Sequence, residues 1–460
     1  MKKIICLTLA VVQVMLCLVA CGDNSSGSVT NSKEPEDTIV YTYPSEIPEY
    51  QDDKQLELMG FWSPPSTLEQ YQWMVDCGFT SVVIDAKYGN TLNSDQLFET
   101  LAICDQVGIR AYVAANRGSS VDLAKDYSQF SSFAGFYTDE PLSKNDFETI
   151  ENNMNAMNTA YPDSHYTYLV TLIGGAPTAY NNDFATWEEY YNYYFEHGGK
   201  EQEAFMMDVY PLEGNSLNGI ITEGWLSCTE QYAKISKEYG VALRPYIATM
   251  SMTSITRRRP AEDDLRYQVY VNLAYGAKGI SYFCYMSPGI PPYNGEFQLS
   301  DFALINFTDV DDYSTYYKTD TWYSTQTVNT ELKAFEHILL SYEWEGVMKS
   351  IGSDAQTTAG KNNFASAKNW IKQHDGIKSI SSTEDAIVGV FKDDKGYDGF
   401  MLVNFADPLH DRTNDVTIQF RGATRAMVCA KGEQQIVDLT DGAYVVTLEP
   451  GEGQFIIPLS

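Results

Sequence analysis

The stretch Phe79-Thr80-Ser81-Val82-Val83-Ile84-Asp85-Ala86 decides the fold. Its centre, Ser81-Val82-Val83-Ile84, is apolar without the polar alternation of a strand that has one wet face, so it reads as a strand covered on both sides. Gly78 stands just before it, where tolerance of positive φ suits the end of a helix. The preceding segment has helix signals. Ser66 and Glu69 form a capping box, and Leu68, Tyr71 and Val75 share one helical face.

The same alternation of a short apolar run with a longer amphipathic one repeats along the chain, in units of about 22 to 38 residues, the length of a βα unit. The runs read as strands are 58–62, 79–86, 109–116, 134–138, 165–173, 204–210, 241–250 and 279–285. Gly108 and Gly240 stand at helix-to-strand junctions as Gly78 does. Pro260 with Glu262, Asp263 and Asp264 opens the seventh helix, acidic side chains favouring its N-terminal dipole. Eight such units in succession predict an α/β fold of (β/α)8 TIM barrel type over residues 56–345, a doubly wound open sheet being the alternative. The last barrel helix is expected over 328–344, with 287–327 as the loop after strand eight. From residue 346 to 460 short runs between turn residues, at 387–391, 399–404, 416–420, 426–430, 444–448 and 454–458, predict a small C-terminal antiparallel β-sandwich.

The ends and the composition bound the setting. Lys2 and Lys3, an apolar stretch and Leu18-Val19-Ala20-Cys21 read as a secretory leader over 1–20 ending in a lipobox-like site. Cys21 is then the lipidated residue, and the membrane is reached through acyl chains. Residues 21–55 are polar and read as a flexible tether, so the protein is expected to be extracytoplasmic and membrane-anchored. The formal net charge is −31, a surface that repels phosphate backbones and argues against nucleic acid as a partner. Cys77, Cys104, Cys228, Cys284 and Cys429 lie mostly in apolar segments without Cys-x-x-Cys spacing, so they read as buried thiols. His165, His197, His337, His374 and His410 lack metal-ligand spacing, and no metal or other cofactor is expected. The 33 tyrosines exceed what a core needs, and exposed aromatic rings suit stacking on sugar faces.

In a barrel the reacting groups gather at the C-terminal strand ends. The polar residues ending the predicted strands are Asp85, Asn116, Asp139-Glu140, Asp208-Val209-Tyr210 and Tyr285, and Trp62 ends the first as a possible platform beneath a sugar. Two adjacent carboxyls before Pro141 are costly unless solvated, paired or used. A like charge next door raises a carboxyl pKa, which keeps an acid protonated for donation to a leaving oxygen. The plainer readings are an Asp139–arginine pair or a helix cap. Arg257-Arg258-Arg259, the basic run after strand seven, suits anionic sugars or nearby acids, and the second is favoured.

Gly135-Phe136-Tyr137-Thr138-Asp139-Glu140-Pro141, Asp208-Val209-Tyr210-Pro211 and the segment 265–283 together resemble bacterial barrels related to family 42 glycoside hydrolases and clan A. The likeness spans most of residues 56–345. It implies a carbohydrate substrate, Glu140 as acid/base, and Tyr137 among the residues that contact the sugar. The resemblance also implies a nucleophilic glutamate at the end of strand seven, and the chain departs there: Arg244-Pro245-Tyr246-Ile247-Ala248-Thr249-Met250 holds no carboxylate. Two routes remain. Asp208 supplies the second carboxylate, or the Asp139-Glu140 pair works as in family 123, which it locally resembles. There the aspartate orients a substrate acetamido group that is itself the nucleophile, and Tyr210 or Tyr285 would hold the acetamide. The competing class is a carbohydrate-binding lipoprotein with an inactive barrel, which would carry the same leader, tether and aromatics.

Overall fold

The computed structural model describes residues 41–460 apart from 52, 85–91, 93, 116–120, 165, 175–182, 213–218, 221–223, 289–301 and 356–363. The leader, Cys21, most of the tether, Asp85, Asn116 and His165 therefore lie outside the described residues.

Eight parallel strands form a closed barrel: β1 (Glu57–Gly60), β2 (Ser81–Ile84), β3 (Arg110–Ala114), β4 (Phe133–Thr138), β5 (Thr167–Ile173), β6 (Ala204–Asp208), β7 (Ala242–Ala248) and β8 (Gly279–Phe283). β8 returns to pair with β1, Gly279 opposite Glu57 and Tyr282 opposite Gly60, which excludes the open sheet. All four residues of Ser81–Ile84 are buried, as the missing alternation requires. Gly135 in β4 has φ +136°, and a Cβ there would meet the Thr167 carbonyl oxygen at 1.9 Å, so only glycine lets β4 and β5 close at this point.

The helices between strands are α1 (Leu68–Asp76), α2 (Ser94–Val107), α3 (Val121–Tyr127), α4 (Lys144–Ala160), α5 (Trp187–Glu196), α6 (Trp225–Tyr239), α7 (Glu262–Ala274) and α8 (Asp320–Lys333). Two expectations are corrected. The cap of α1 is Thr67, whose hydroxyl accepts from the Gln70 amide at 3.3 Å, while Ser66 is turned to Thr100 at 2.6 Å; Leu68 is exposed, and Tyr71 and Met74 carry the buried face. α8 begins at Asp320 and not at residue 328, because Trp322, Thr325, Val328, Asn329 and Leu332 form one buried stripe; Trp344 falls in a strand. The expected long loop also holds a two-stranded ribbon of β9 (Ile305–Asn306) and β10 (Tyr317–Lys318).

The end of the barrel opposite the C-terminal strand ends is closed by charge. Arg244, 5% exposed, reaches Glu203 at 2.6 Å; Arg110 joins Glu57 at 3.0 Å and Glu203 at 3.1 Å, and the Tyr112 hydroxyl donates to Glu57 at 3.2 Å. Such a layer serves stability, since chemistry in this fold belongs to the other end.

The C-terminal part is a sandwich of β11 (Tyr342–Ser350), β12 (Ile377–Ser382), β13 (Ala386–Asp393), β14 (Asp398–Asn404), β15 (Asn414–Phe420), β16 (Arg425–Ala430), β17 (Glu433–Asp438), β18 (Ala443–Leu448) and β19 (Gly453–Leu459). Six strands in the order β11-β13-β14-β19-β16-β17 face three in the order β12-β15-β18. One face of the larger sheet, with Val388, Leu402 and Val428, packs on the smaller. The other face, with Ile387, Met401 and Ile457, joins the barrel core through α7. Helix α7 is consequently buried almost all round, and Gly389 and Gly453 admit it: a Cβ on either would lie 2.4 Å from Ala274 or Tyr270.

The tether ends earlier than residue 55. The Tyr41 hydroxyl donates to Asp398, Tyr43 to the Gly376 carbonyl at 2.6 Å, and the Tyr50 and Tyr342 hydroxyls meet at 2.8 Å, strapping residues 41–50 to the sandwich and its junction with the barrel. Three phenols, each with an apolar ring to bury and a hydroxyl to satisfy, make this segment sticky where a run of Ser and Asn would be free.

Candidate active site

Strand β4 delivers Asp139 and Glu140 to the C-terminal mouth, and α4 begins just beyond, capped by Ser143 in a reciprocal box with Asp146. Between them the chain makes a tight turn. Glu140 has φ +38°, a left-handed conformation that costs a side-chain-bearing residue about 1 kcal/mol. Its N–H donates to the Thr171 carbonyl at 3.1 Å, and the next carbonyl, of Pro141, accepts from the Tyr190 hydroxyl at 2.9 Å. Tyr232 ties off the adjacent strand by donating to the Ile173 carbonyl at 2.7 Å. A strained residue so held, with its acid group at a barrel mouth, is a mark of function.

Asp139 and Glu140 are both exposed to solvent at the mouth of the barrel. They border a cavity of 610 Å³ whose wall includes Phe61, Tyr137, Tyr168 and, on the α4 side, Thr149 and Ile150. Restricted hydration raises the Glu140 carboxyl from 4.5 to about 8, and the charges of Asp208 and then Asp139 add to it. Asp139 is raised too, by burial, but the Tyr137 hydroxyl donates to it at 2.7 Å and opposes the rise. The surroundings of Glu140 thus favour its protonated form, while the hydrogen bond from Tyr137 favours the ionised form of Asp139.

Asp208 ends β6, partly exposed, and its charge acts on Glu140 more strongly than that of neighbouring Asp139. Gly174, at the exit of β5, makes room for it: a Cβ there would lie 1.6 Å from Val209 Cγ2 and 2.5 Å from the Asp208 carbonyl oxygen. Tyr210 is buried behind Asp208, its phenol pushed far up by burial and by that carboxylate. The Arg257 guanidinium lies 4.7 Å over the Tyr210 ring, a cation–π contact. Arg258 pairs with Asp264 at 2.5 Å, and Arg259 approaches Asp320 at 3.9 Å, so the latter two members of the basic run are engaged by acids.

The sequence-derived residues thus divide. Asp139, Glu140 and Tyr137 line the cavity, and Asp208, which does not line it, acts on Glu140 through its charge from the end of β6. Trp62 adopts φ +61° and packs against Phe61 and Phe283 at 5.8 and 5.3 Å, only 3% exposed, so it is a wall and presents no open stacking face. Tyr285 is fully buried against Phe79 at 5.3 Å and does not line the cavity. The strand-eight aromatic at the mouth is Phe283, partly exposed and 6.0 Å from Tyr210.

Sequence reasoning also missed Thr171 and Tyr246. The Thr171 and Tyr137 hydroxyls meet at 2.8 Å, and Tyr246 donates to Tyr137 at 3.1 Å. Their signal was available: polar side chains inside otherwise apolar strands must find partners. The end of β7 has no carboxylate, Thr249 there being buried and donating to the Cys284 carbonyl at 3.0 Å. Among the described residues no group of three His, Cys, Asp or Glu side chains is placed to hold a metal.

No known protein family matches the sequence, and no curated protein does. Among solved structures, the chain is similar to a catalytic mutant of a GH42 beta-galactosidase from G. stearothermophilus, with 8% identity over 89% of this chain and 100% of that one and a TM-score of 0.53. It is also similar to an Anoxybacillus alpha-amylase, with 10% identity over 88% and 98% of the two chains and a TM-score of 0.51. At these identities the likeness is one of fold: a (β/α)8 barrel with a β-sandwich behind it, shared with glycoside hydrolases.

Proposed function

We propose that this chain is a glycoside hydrolase that acts on a carbohydrate outside the cytoplasm, with Glu140 as general acid and Asp208 as the carboxylate facing it. The observation that carries this reading is that Asp139 and Glu140 line a 610 Å³ cavity at the C-terminal mouth of the barrel, with Asp208 at the end of β6 near enough for its charge to act on Glu140. Cleavage of a glycosidic bond needs one carboxyl protonated and a second ionised. Glu140, raised to about 8, supplies the first at neutral pH. It donates its proton to the leaving oxygen as the bond to the anomeric carbon breaks, and Asp208 attacks that carbon or takes a proton from the incoming water. The leader and Cys21 support an extracytoplasmic site of action on a membrane anchor.

The carboxylate-free end of β7 favours a second reading, a carbohydrate-binding protein without turnover. A panel of aryl glycosides with and without a 2-acetamido group separates the possibilities, with Glu140→Gln as control. Turnover of both kinds, lost in the variant, supports Asp208 as the assisting carboxylate. Turnover confined to 2-acetamido sugars transfers that role to the substrate, oriented by Asp139. Glycan binding with no turnover after long incubation establishes the binding protein.

A further inference from the structure

With Asp139 ionised, the hydroxyls beneath it have one self-consistent arrangement of protons. Tyr137 has a single hydroxyl proton, and at 2.7 Å it goes to the acceptor-only carboxylate of Asp139. The oxygen of Tyr137 is then free to accept, and two hydroxyls reach it: Tyr246 from β7 at 3.1 Å and Thr171 from β5 at 2.8 Å. Both must donate, because Tyr137 has no second proton to give. A hydroxyl that accepts two hydrogen bonds is a stronger donor through its own proton, since such chains polarise one another. Tyr137, Tyr246 and Thr171 are all buried. Glu140 receives no comparable donor among the described residues.

We infer that the chain Tyr246–Tyr137–Asp139, buttressed by Thr171, holds Asp139 ionised and so fixes the one proton shared by the acidic pair on Glu140. Tyr137 and Tyr246 are positioning residues in this account and touch no reacting atom. The idea rests on the reading of Glu140 as the acid, and it gives β7 a part in the site: a phenol that acts across the barrel through a second phenol.

The charged and titratable groups facing the pair come from several elements. Asp208 on β6 acts on Glu140 and Tyr246; Tyr190 on α5 and Tyr232 on α6 face Glu140; Asp146 on α4 acts on Tyr190; Arg257 lies against Tyr210, behind Asp208. None of these donates to Asp139 in place of Tyr137.

The test is a carboxyl carbon-13 NMR titration of the full chain, with Asp139→Asn and Glu140→Gln used to assign the signals. Losing a hydrogen bond to an ionised group should move the Asp139 midpoint upwards by about one pH unit in Tyr137→Phe, and by roughly half as much in Tyr246→Phe. A merely loosened barrel lowers the rate at every pH without moving the Asp139 midpoint. An Asp139 midpoint that stays put in both variants overturns the inference even if hydrolysis is robust. A midpoint that moves in a protein that hydrolyses no glycoside leaves the hydroxyl chain standing and removes the hydrolase reading alone.

Discussion

Replacing Glu140 by glutamine should make the protein more stable above neutral pH and leave its stability unchanged in acid. On folding, the carboxyl rises from 4.5 to about 8. Below 4.5 it is protonated in both states, so an isosteric amide changes little. Between 4.5 and 8 the unfolded chain releases this proton while the folded chain keeps it. The wild type therefore loses stability over that window as pH rises, whereas glutamine does not titrate. At about 1.4 kcal/mol per pH unit the full shift would amount to roughly 5 kcal/mol. The side chain keeps contact with solvent, and screening reduces the expected gain to about 1–2 kcal/mol at pH 8. Urea unfolding curves of both proteins at pH 4, 6 and 8 measure it. An offset that is the same at all three pH values, or one favouring the wild type at pH 8, refutes the claim that this carboxyl is held protonated by its surroundings.

Asp208→Asn removes the largest charge acting on Glu140, so the alkaline limb of kcat/KM should move down from about 8 while the rate falls by about 10² to 10⁴. A limb that stays at its wild-type pH would show that the two carboxyls do not sense each other. Arg244→Leu strips a buried guanidinium from Glu203 and Glu57 at the opposite end of the barrel. With Arg110 still in place, chemical denaturation should register a loss of about 2–3 kcal/mol, and the pH profile of activity should keep its shape. The pH dependence of that loss has a set sign: Glu203 is held below its usual value by Arg244 and Arg110 working against its burial, so the stabilisation is present above about pH 4.5 and fades as pH falls.

Much of the barrel is legible because burial on both faces leaves a mark no surface strand has. Ser81–Ile84 is apolar at three of four positions, and five of the barrel helices are followed by a glycine of positive φ, Gly78, Gly108, Gly198, Gly240 and Gly276, where the helix must stop. The missed strands have the opposite character. Glu433–Asp438 is an exposed edge strand of polar residues, and Tyr342–Ser350 alternates buried and exposed side chains close to a helix, so neither contains an apolar run. Asp139 and Glu140 are legible as strand-end acids, but which way a strand-end residue points is not. Successive side chains leave opposite faces, and a register change of one residue exchanges cavity for wall. Phe283 is the last residue of β8 and reaches the mouth, whereas Tyr285 lies beyond the end of the strand, where alternation no longer sets its direction. The partners of Tyr137 sit on β5 and β7, 34 and 109 residues away, and only barrel closure brings their hydroxyls to one layer.

The central claim, that Glu140 delivers a proton to a departing sugar oxygen, is tested most directly by comparing aryl glycosides whose leaving groups differ in basicity. With Glu140→Gln, turnover of a poor leaving group such as a methylphenol should fall by about 10² to 10⁴, while a dinitrophenol, which departs without protonation, should lose far less. An equal loss across the whole series, or none, would contradict the account.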